Sequence, residues 1–164
     1  MKSLKSALIP LVAQAIVGFT SAAQAATATD TFTVTISIDG TCTIAATDIA
    51  FGNVAADLAT ATNANGTITV NCTLYTPYQI GLDVGVNDDA GTRRMFDGGT
   101  GYVPYELYSE VTYTTVWGDT LDTDTVTGTG TGADEAYTVY GQVPNTTGAT
   151  TGGYSDTVTA TITF

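Results

Sequence analysis

The side chains able to do chemistry in this chain are few in kind. Histidine is absent, which excludes Ser-His-Asp and Cys-His nucleophilic arrangements. No Gly-x-Ser-x-Gly elbow and no Gly-Lys-Ser/Thr phosphate loop occurs. The only lysines are Lys2 and Lys5, at the extreme N-terminus. Carboxylates are plentiful, at 16, but sequence alone can place no two of them at the working distance of a glycosidase pair. No catalytic residue is assigned, and the chain is read as a non-enzyme without cofactor.

Asp119, Asp122 and Asp124, with Asp134 and Glu135, form the best candidate for a hard cation such as calcium. Their spacing fits neither the EF-hand loop nor the glycine-rich nonapeptide repeat, so a solvated loop is the preferred reading and no metal site is assigned. Asn65, Asn71 and Asn145 each begin a glycosylation tripeptide, a pattern that chance produces often. Tyr102, Tyr105, Tyr108, Tyr113 and Trp117 crowd one third of the chain. They suit either a carbohydrate platform or the core and corners of a small sandwich, and the core is preferred.

The two cysteines are Cys42 and Cys72. The N-terminus makes their pairing the expected chemistry. Lys2 and Lys5 precede an apolar stretch over 7–19, and Ala23-Gln24-Ala25 offers a small-x-small cleavage site. Residues 1–25 therefore read as a secretory signal peptide, and export to an oxidising compartment favours a disulfide. Closing a loop of 72 − 42 = 30 positions stabilises by roughly 3–4 kcal/mol in chain-entropy terms. No later apolar stretch approaches membrane-spanning length, so no membrane insertion is expected.

The net charge is −12, and −14 once Lys2 and Lys5 are removed. Arg93 and Arg94 are then the only cations. Such a surface repels nucleic acid and anionic lipid.

The elements that position these groups read as strands. Phe32, Val34, Ile36 and Ile38 alternate with Thr31, Thr33, Thr35 and Ser37, a period of two without error. Alternation or short apolar runs recur at 42–45, 67–72, 78–84, 102–108, 111–117, 136–143 and 154–164. Turn-rich pieces separate them, including 63–66, 87–91, 97–101 and 144–153. The run 119–136 is low in complexity and reads as a long hairpin loop or an exposed edge. At the end, Val158, Ala160, Ile162 and Phe164 form one face, with Thr157, Thr159, Thr161 and Thr163 on the other. The fold class is all-β, an antiparallel β-sandwich in one domain. Asp39-Gly40-Thr41 fits a tight hairpin turn folding 31–38 back onto 42–49.

Several segments, in order, resemble the spore coat protein U family, which includes the major subunits of archaic chaperone–usher pili. They are the alternating strand before Cys42, then Asp48-Ile49-Ala50-Phe51-Gly52-Asn53-Val54 and the stretch from Gly66 to Thr73. Arg94-Met95, the run from Val103 to Tyr108, and Val116-Trp117-Gly118-Asp119 follow. Val139 to Pro144 and Gly153-Tyr154-Ser155-Asp156 through Phe164 complete the set. The departure is 119–136, richer in Thr, Gly and Asp than the family pattern.

The resemblance implies an incomplete immunoglobulin-like sandwich lacking its last strand, filled by donor-strand exchange. Residues 26–41 would be the donor extension and hinge, and 42–164 the pilin-type domain. Phe32, Val34, Ile36 and Ile38 would enter a neighbour, with Asp39, Gly40 and Thr41 as the hinge. Val158, Ala160, Ile162 and Phe164 would form the core face of a final strand with none after it. The implied partners are identical or related pilin subunits in a head-to-tail polymer, a periplasmic chaperone and an outer-membrane usher. The implied route runs through the periplasm to a cell-surface pilus serving adhesion and biofilm formation. A secreted coat protein without pili and a monomeric carbohydrate-binding sandwich are the alternatives.

Overall fold

A computed structural model describes residues 24–164. The signal-peptide reading lies outside the described residues as far as residue 23. The described chain falls into two units, residues 24–36 and the body Ser37–Phe164. Residues 24–41 form no strand.

The body is built of antiparallel strands in two principal sheets and a small ribbon. The first sheet has the order β1-β2-β8-β6, with β1 Cys42–Ala46, β2 Thr62–Cys72, β8 Asp134–Val143 and β6 Glu106–Tyr108. The second has the order β7-β3-β9, with β7 Val126–Thr129, β3 Pro77–Leu82 and β9 Ala160–Thr163. The ribbon pairs β4, Arg94–Phe96, with β5, Tyr102–Pro104. Among the described residues there is no helix.

Alternation puts one face of each long strand inside. In β2, Ile68, Val70 and Cys72 are buried while Thr67 and Thr69 face outward, and β8 buries Val139 and Val143 in the same way. From the second sheet Tyr78, Ile80 and Leu82 meet them, and Leu107 and Trp117 fill the middle. Trp117, 1 % exposed, donates its indole N–H to the Ile80 carbonyl at 2.8 Å, so its one polar atom is satisfied in the core.

The sequence expectations need correction at several points. Residues 63–66 are not a turn but the start of β2, laddered to β8 with Asn63 opposite Gln142 and Asn65 opposite Tyr140. The Gln142 side-chain amide donates to Asn63 Oδ1 at 3.0 Å, so pairing with β8 overrides the turn preference of Asn and Gly. Residues 111–117 form no strand beyond a bridge from Val116 to Tyr108. The Glu110 carboxylate accepts the hydroxyls of Thr114 and Thr115, and Tyr113 N–H closes the turn onto the Glu110 carbonyl at 3.2 Å. Local side-chain bonding therefore wins over extension there. The stretch 102–108 is two strands, because the chain changes partner at Tyr105, whose N–H donates to the Arg93 carbonyl.

The low-complexity run 119–136 contributes β7, an edge strand, and is tightly held. Gln79 donates to Asp122 Oδ1 at 2.6 Å and accepts from Asp122 N–H and the Thr125 hydroxyl. The Tyr78 ring occupies the space that a side chain on Gly128 would need. Composition suggested flexibility, but Gly128 and Gly130 each mark a close approach.

Candidate functional site

Among the strands with a ladder on one side only are β1 and β9, whose ends reach the same opening. On β1, Thr41 O accepts from Thr73 N–H and Thr47 N–H donates to Thr67 O, both at 2.9 Å. Backbone groups alternate sides along a ladder, so residues 41, 43, 45 and 47 face β2. The N–H and C=O groups of Cys42, Ile44 and Ala46 point the other way, where no strand pairs among the described residues. On the β9 side, Asp83 N–H donates to Thr159 O at 3.1 Å, which turns the backbone groups of Val158, Ala160 and Ile162 to the open side. The side chains of Cys42, Ile44, Val158, Ala160 and Ile162 are half-buried and packed on the core.

At the Ala46 end of β1 and the Val158–Ala160 end of the other edge opens a cleft of about 1000 Å³, bounded by residues 46–56 and 149–158. Its floor is the sandwich interior, with Ile68, Leu82, Val103, Leu107, Val139 and Val143 all reaching it. Each of the six is 5 % exposed or less, so the cleft reaches the core without laying it open.

Each wall has a specific anchor. A Cβ on Gly66 would stand 2.6 Å from Ile49 Cγ1, and one on Gly141 would stand 3.0 Å from the tip of Phe51. These two glycines, on neighbouring strands β2 and β8, make the seat for the 48–54 segment. The opposite wall is held by carboxylates. Asp83 accepts the N–H groups of Thr159 at 2.8 Å and Gly85 at 3.0 Å. Partial burial works to raise the Asp83 carboxyl, but those donors and the Arg93 charge hold it below its ordinary value. Asp156 accepts the Tyr105 hydroxyl at 2.7 Å and both the backbone and side-chain N–H of Asn87. Burial, then the bond to Asp156, pushes the Tyr105 phenol well above its ordinary range. At the cleft's end, Thr146 exchanges backbone and side-chain bonds with Leu58 and donates its hydroxyl to the Ala55 carbonyl.

Arg93 stands behind the carboxylate wall, 3 % exposed. Its guanidinium donates to the carbonyls of Leu82, Asp83 and Trp117 and pairs with Glu106, so the buried charge is fully met. Arg94 pairs with Asp89 at 3.1 Å and lies over the Tyr102 ring. Both cations of the described residues are thus engaged by carboxylates.

Cys42 and Cys72 are directly opposite in the β1–β2 ladder and form a disulfide with an S–S distance of 2.02 Å. Phe32, Val34, Ile36 and Ile38 are 82–88 % exposed. Asp39 accepts the Ser37 hydroxyl at 3.3 Å, Gly40 lies against Thr76, and Thr41 is already bonded to Thr73. Phe164 is 58 % exposed, unlike the three alternating residues before it.

The carboxylates considered for a cation are spent separately. Asp122 is taken by Gln79, Asp124 by Thr120 N–H, Asp134 by the Asn71 amide and Glu135 by the Tyr78 hydroxyl. Asp119 packs its backbone against Gly81. No three acidic groups converge among the described residues. Of the aromatic group, Tyr105 and Trp117 are core residues, and Tyr113 sits edge-on to Tyr108 and Tyr140. Tyr102 stacks on Phe96.

Sequence reasoning missed Gly66, Gly141, Asp83, Asp156 and Thr146. Glycine inside an alternating strand signals a close approach, so the first two were findable. The others gave no local sign, since their partners lie far along the chain.

The family model for the Spore Coat Protein U domain matches residues 28–161. Protein U of Myxococcus xanthus is 34 % identical over 180 aligned positions, covering 100 % of both chains. Among solved structures, the chaperone–tip adhesion subunit pre-assembly complex CsuC–CsuE, from the archaic chaperone–usher Csu pili of Acinetobacter baumannii, contains a similar chain. The likeness has a TM-score of 0.58 at 22 % identity over 76 % of this chain, and this chain spans 40 % of that one. At that identity the likeness is one of fold. The domain match over nearly the whole described chain and the full-length relative together decide the family: this chain belongs to the Spore Coat Protein U domain family.

Proposed function

We propose that the chain is a structural subunit of a chaperone–usher surface pilus, and that it polymerises by lending residues 31–38 to the cleft of a neighbouring copy. The observation that carries this reading is the cleft itself, an apolar floor reached by the ends of two strand edges whose outward backbone groups lack a ladder. A strand inserted there bonds to both edges, and every second side chain enters the interior. This is β-strand addition, with ladder bonds supplying affinity and alternate pockets supplying register. Phe32, Val34, Ile36 and Ile38 have the matching pattern and are uncovered. Their burial contributes roughly 6–12 kcal/mol before entropy costs.

The contact is head-to-tail and does not close on itself, so repetition makes a fibre. Residues 26–41 serve as the extension and hinge, and 42–164 as the receiving body. A periplasmic chaperone covers the cleft during transit, and an outer-membrane usher exchanges that cover for the next subunit. The subunit leaves by the signal-peptide route and ends in a cell-surface pilus, where adhesion and biofilm formation are its service.

The test is Val34→Asp and Ile36→Asp in the full chain, co-expressed with its chaperone. The expected result is a soluble chaperone-bound subunit that no longer builds heat-resistant polymers. Polymers of undiminished heat resistance in both variants would overturn the reading.

A further inference from the structure

We propose that the Leu74–Tyr75 turn, beside the root of the 31–38 strand, docks onto the next copy in the fibre as a second contact at each junction. The inference rests on strand donation. It starts from how little slack separates the donor strand from the body. Thr41 is bonded to Thr73 through both its N–H and its C=O. One residue earlier, a Cβ on Gly40 would stand 2.6 Å from Thr76 Oγ1, so the hinge glycine is seated on the same turn. From Ile38 to Thr41 is three residue steps, at most about 11 Å of extended chain. A neighbour that has taken up Ile38 therefore lies within that distance of Thr41, and hence beside the turn that Thr41 is bonded to.

The turn is built to display, not to bend. Thr76 N–H closes it onto the Thr73 carbonyl, and the two hydroxyls share a bond of 2.6 Å. Tyr75 N–H donates to Gly130 O and Gly130 N–H donates to Thr76 O, both at 2.8 Å. On this fixed frame Leu74 is 57 % and Tyr75 80 % exposed, with Tyr75 held at a φ of 65°, a conformation that costs a non-glycine residue free energy. The backbone bonds serve the isolated body, but the outward display of these two apolar side chains does not.

A second copy is the occupant because the tether delivers one there, and the turn itself carries no charge to oppose it. Copies of this chain are strongly acidic and repel one another. Residues 71–82 and 126–132, which meet at the turn, contain no charged side chain. An apolar pair on a turn with no charge of its own, the carboxylates of Asp39, Asp134 and Glu135 standing at its margin, is a contact that like-charged copies can make.

The test places the photo-crosslinker p-benzoylphenylalanine at position 75 of the full chain, with position 138 on the outer face of β8 as the control. Illumination of assembled fibres is expected to couple position 75, and not 138, to a neighbouring subunit. Leu74→Ser with Tyr75→Ser is expected to keep the disulfide and the assembly, since both side chains are exposed, but to lower the temperature at which fibres dissociate. Fibres that assemble yet couple position 75 only within its own chain, or that dissociate at the unchanged temperature, overturn the contact and leave strand donation standing. Fibres that form undiminished in Ile36→Asp overturn strand donation, and this inference with it.

Discussion

Ile49 occupies the space a side chain on Gly66 would need: a Cβ there would stand 2.6 Å from Ile49 Cγ1 and 3.0 Å from the Thr47 carbonyl. One wall of the cleft is thus seated on a glycine of the central strand. Gly66→Val is expected to force Ile49 off its seat and to destabilise the body by about 1–3 kcal/mol, the usual cost of overpacking. β-Branched residues otherwise favour strands, so propensity alone predicts the opposite sign. Urea unfolding of the chaperone-free body distinguishes the two.

The other wall depends on an ionised group. Asp83 is held below its ordinary value of 3.8 by donors that include the Thr159 N–H. A depressed carboxyl contributes stability above the unfolded value, and that contribution is lost as pH falls through the folded one. Asp83→Ala is expected to cost about 1–2 kcal/mol at pH 7, the lower part of the range for a charged hydrogen bond because the site is half-exposed. The difference from the parent should shrink steadily below about pH 4. Unfolding midpoints of both proteins at pH 7 and pH 3 check the sign. A pH-independent difference would show that the carboxylate charge is not what holds Thr159.

β1 has a ladder on one side only, and the disulfide ties that exposed strand to β2 at the directly opposed pair Cys42 and Cys72. Replacing both cysteines by alanine is expected to cost about 3 kcal/mol. Reduction of the parent protein should reproduce the loss, and reductant should leave the double variant unchanged. Urea midpoints with and without dithiothreitol supply the measurement.

Much of this architecture is readable from alternation. Ile68, Val70 and Cys72 announced an inward face, as did Val158, Ala160 and Ile162, because burial on a pleated strand has a period of two. The pairing of cysteines followed from their number and from reading residues 1–25 as an export signal. The cleft was harder to foresee, because it is made by residues that meet only in the fold. Gly66 reads as a turn residue until β8 is known to lie beside it, and Asp83 reads as one more surface acid until Thr159 arrives from 76 positions away. Tyr113 shows the opposite failure. Its neighbours alternate like a strand, yet Glu110 gathers their hydroxyls into a turn in which Tyr113 takes a φ of 54°. Periodicity carries no information about such side-chain bonds.

The same period of two gives the sharpest test of what residues 31–38 are for. Inserted between two edges, the strand sends Phe32, Val34, Ile36 and Ile38 to the apolar floor and leaves Thr31, Thr33, Thr35 and Ser37 outside. Ile36→Ala removes buried methyl groups, a change that costs 2–5 kcal/mol in a close-packed interior. At about 2 kcal/mol, fibre dissociation should be roughly thirty-fold faster. Thr35→Ala, one residue away, touches only the outer face and should stay within about 0.5 kcal/mol, or little more than twofold. Ile36 and Thr35 have the same backbone surroundings and are both exposed in the separate chain, so neither exposure nor position in the sequence predicts a difference between them. Timed dissociation of fibres in warm denaturant, scored as monomer released, measures it. Equal effects at 35 and 36, or a larger effect at 35, would mean that the strand does not lie with its apolar face in the cleft.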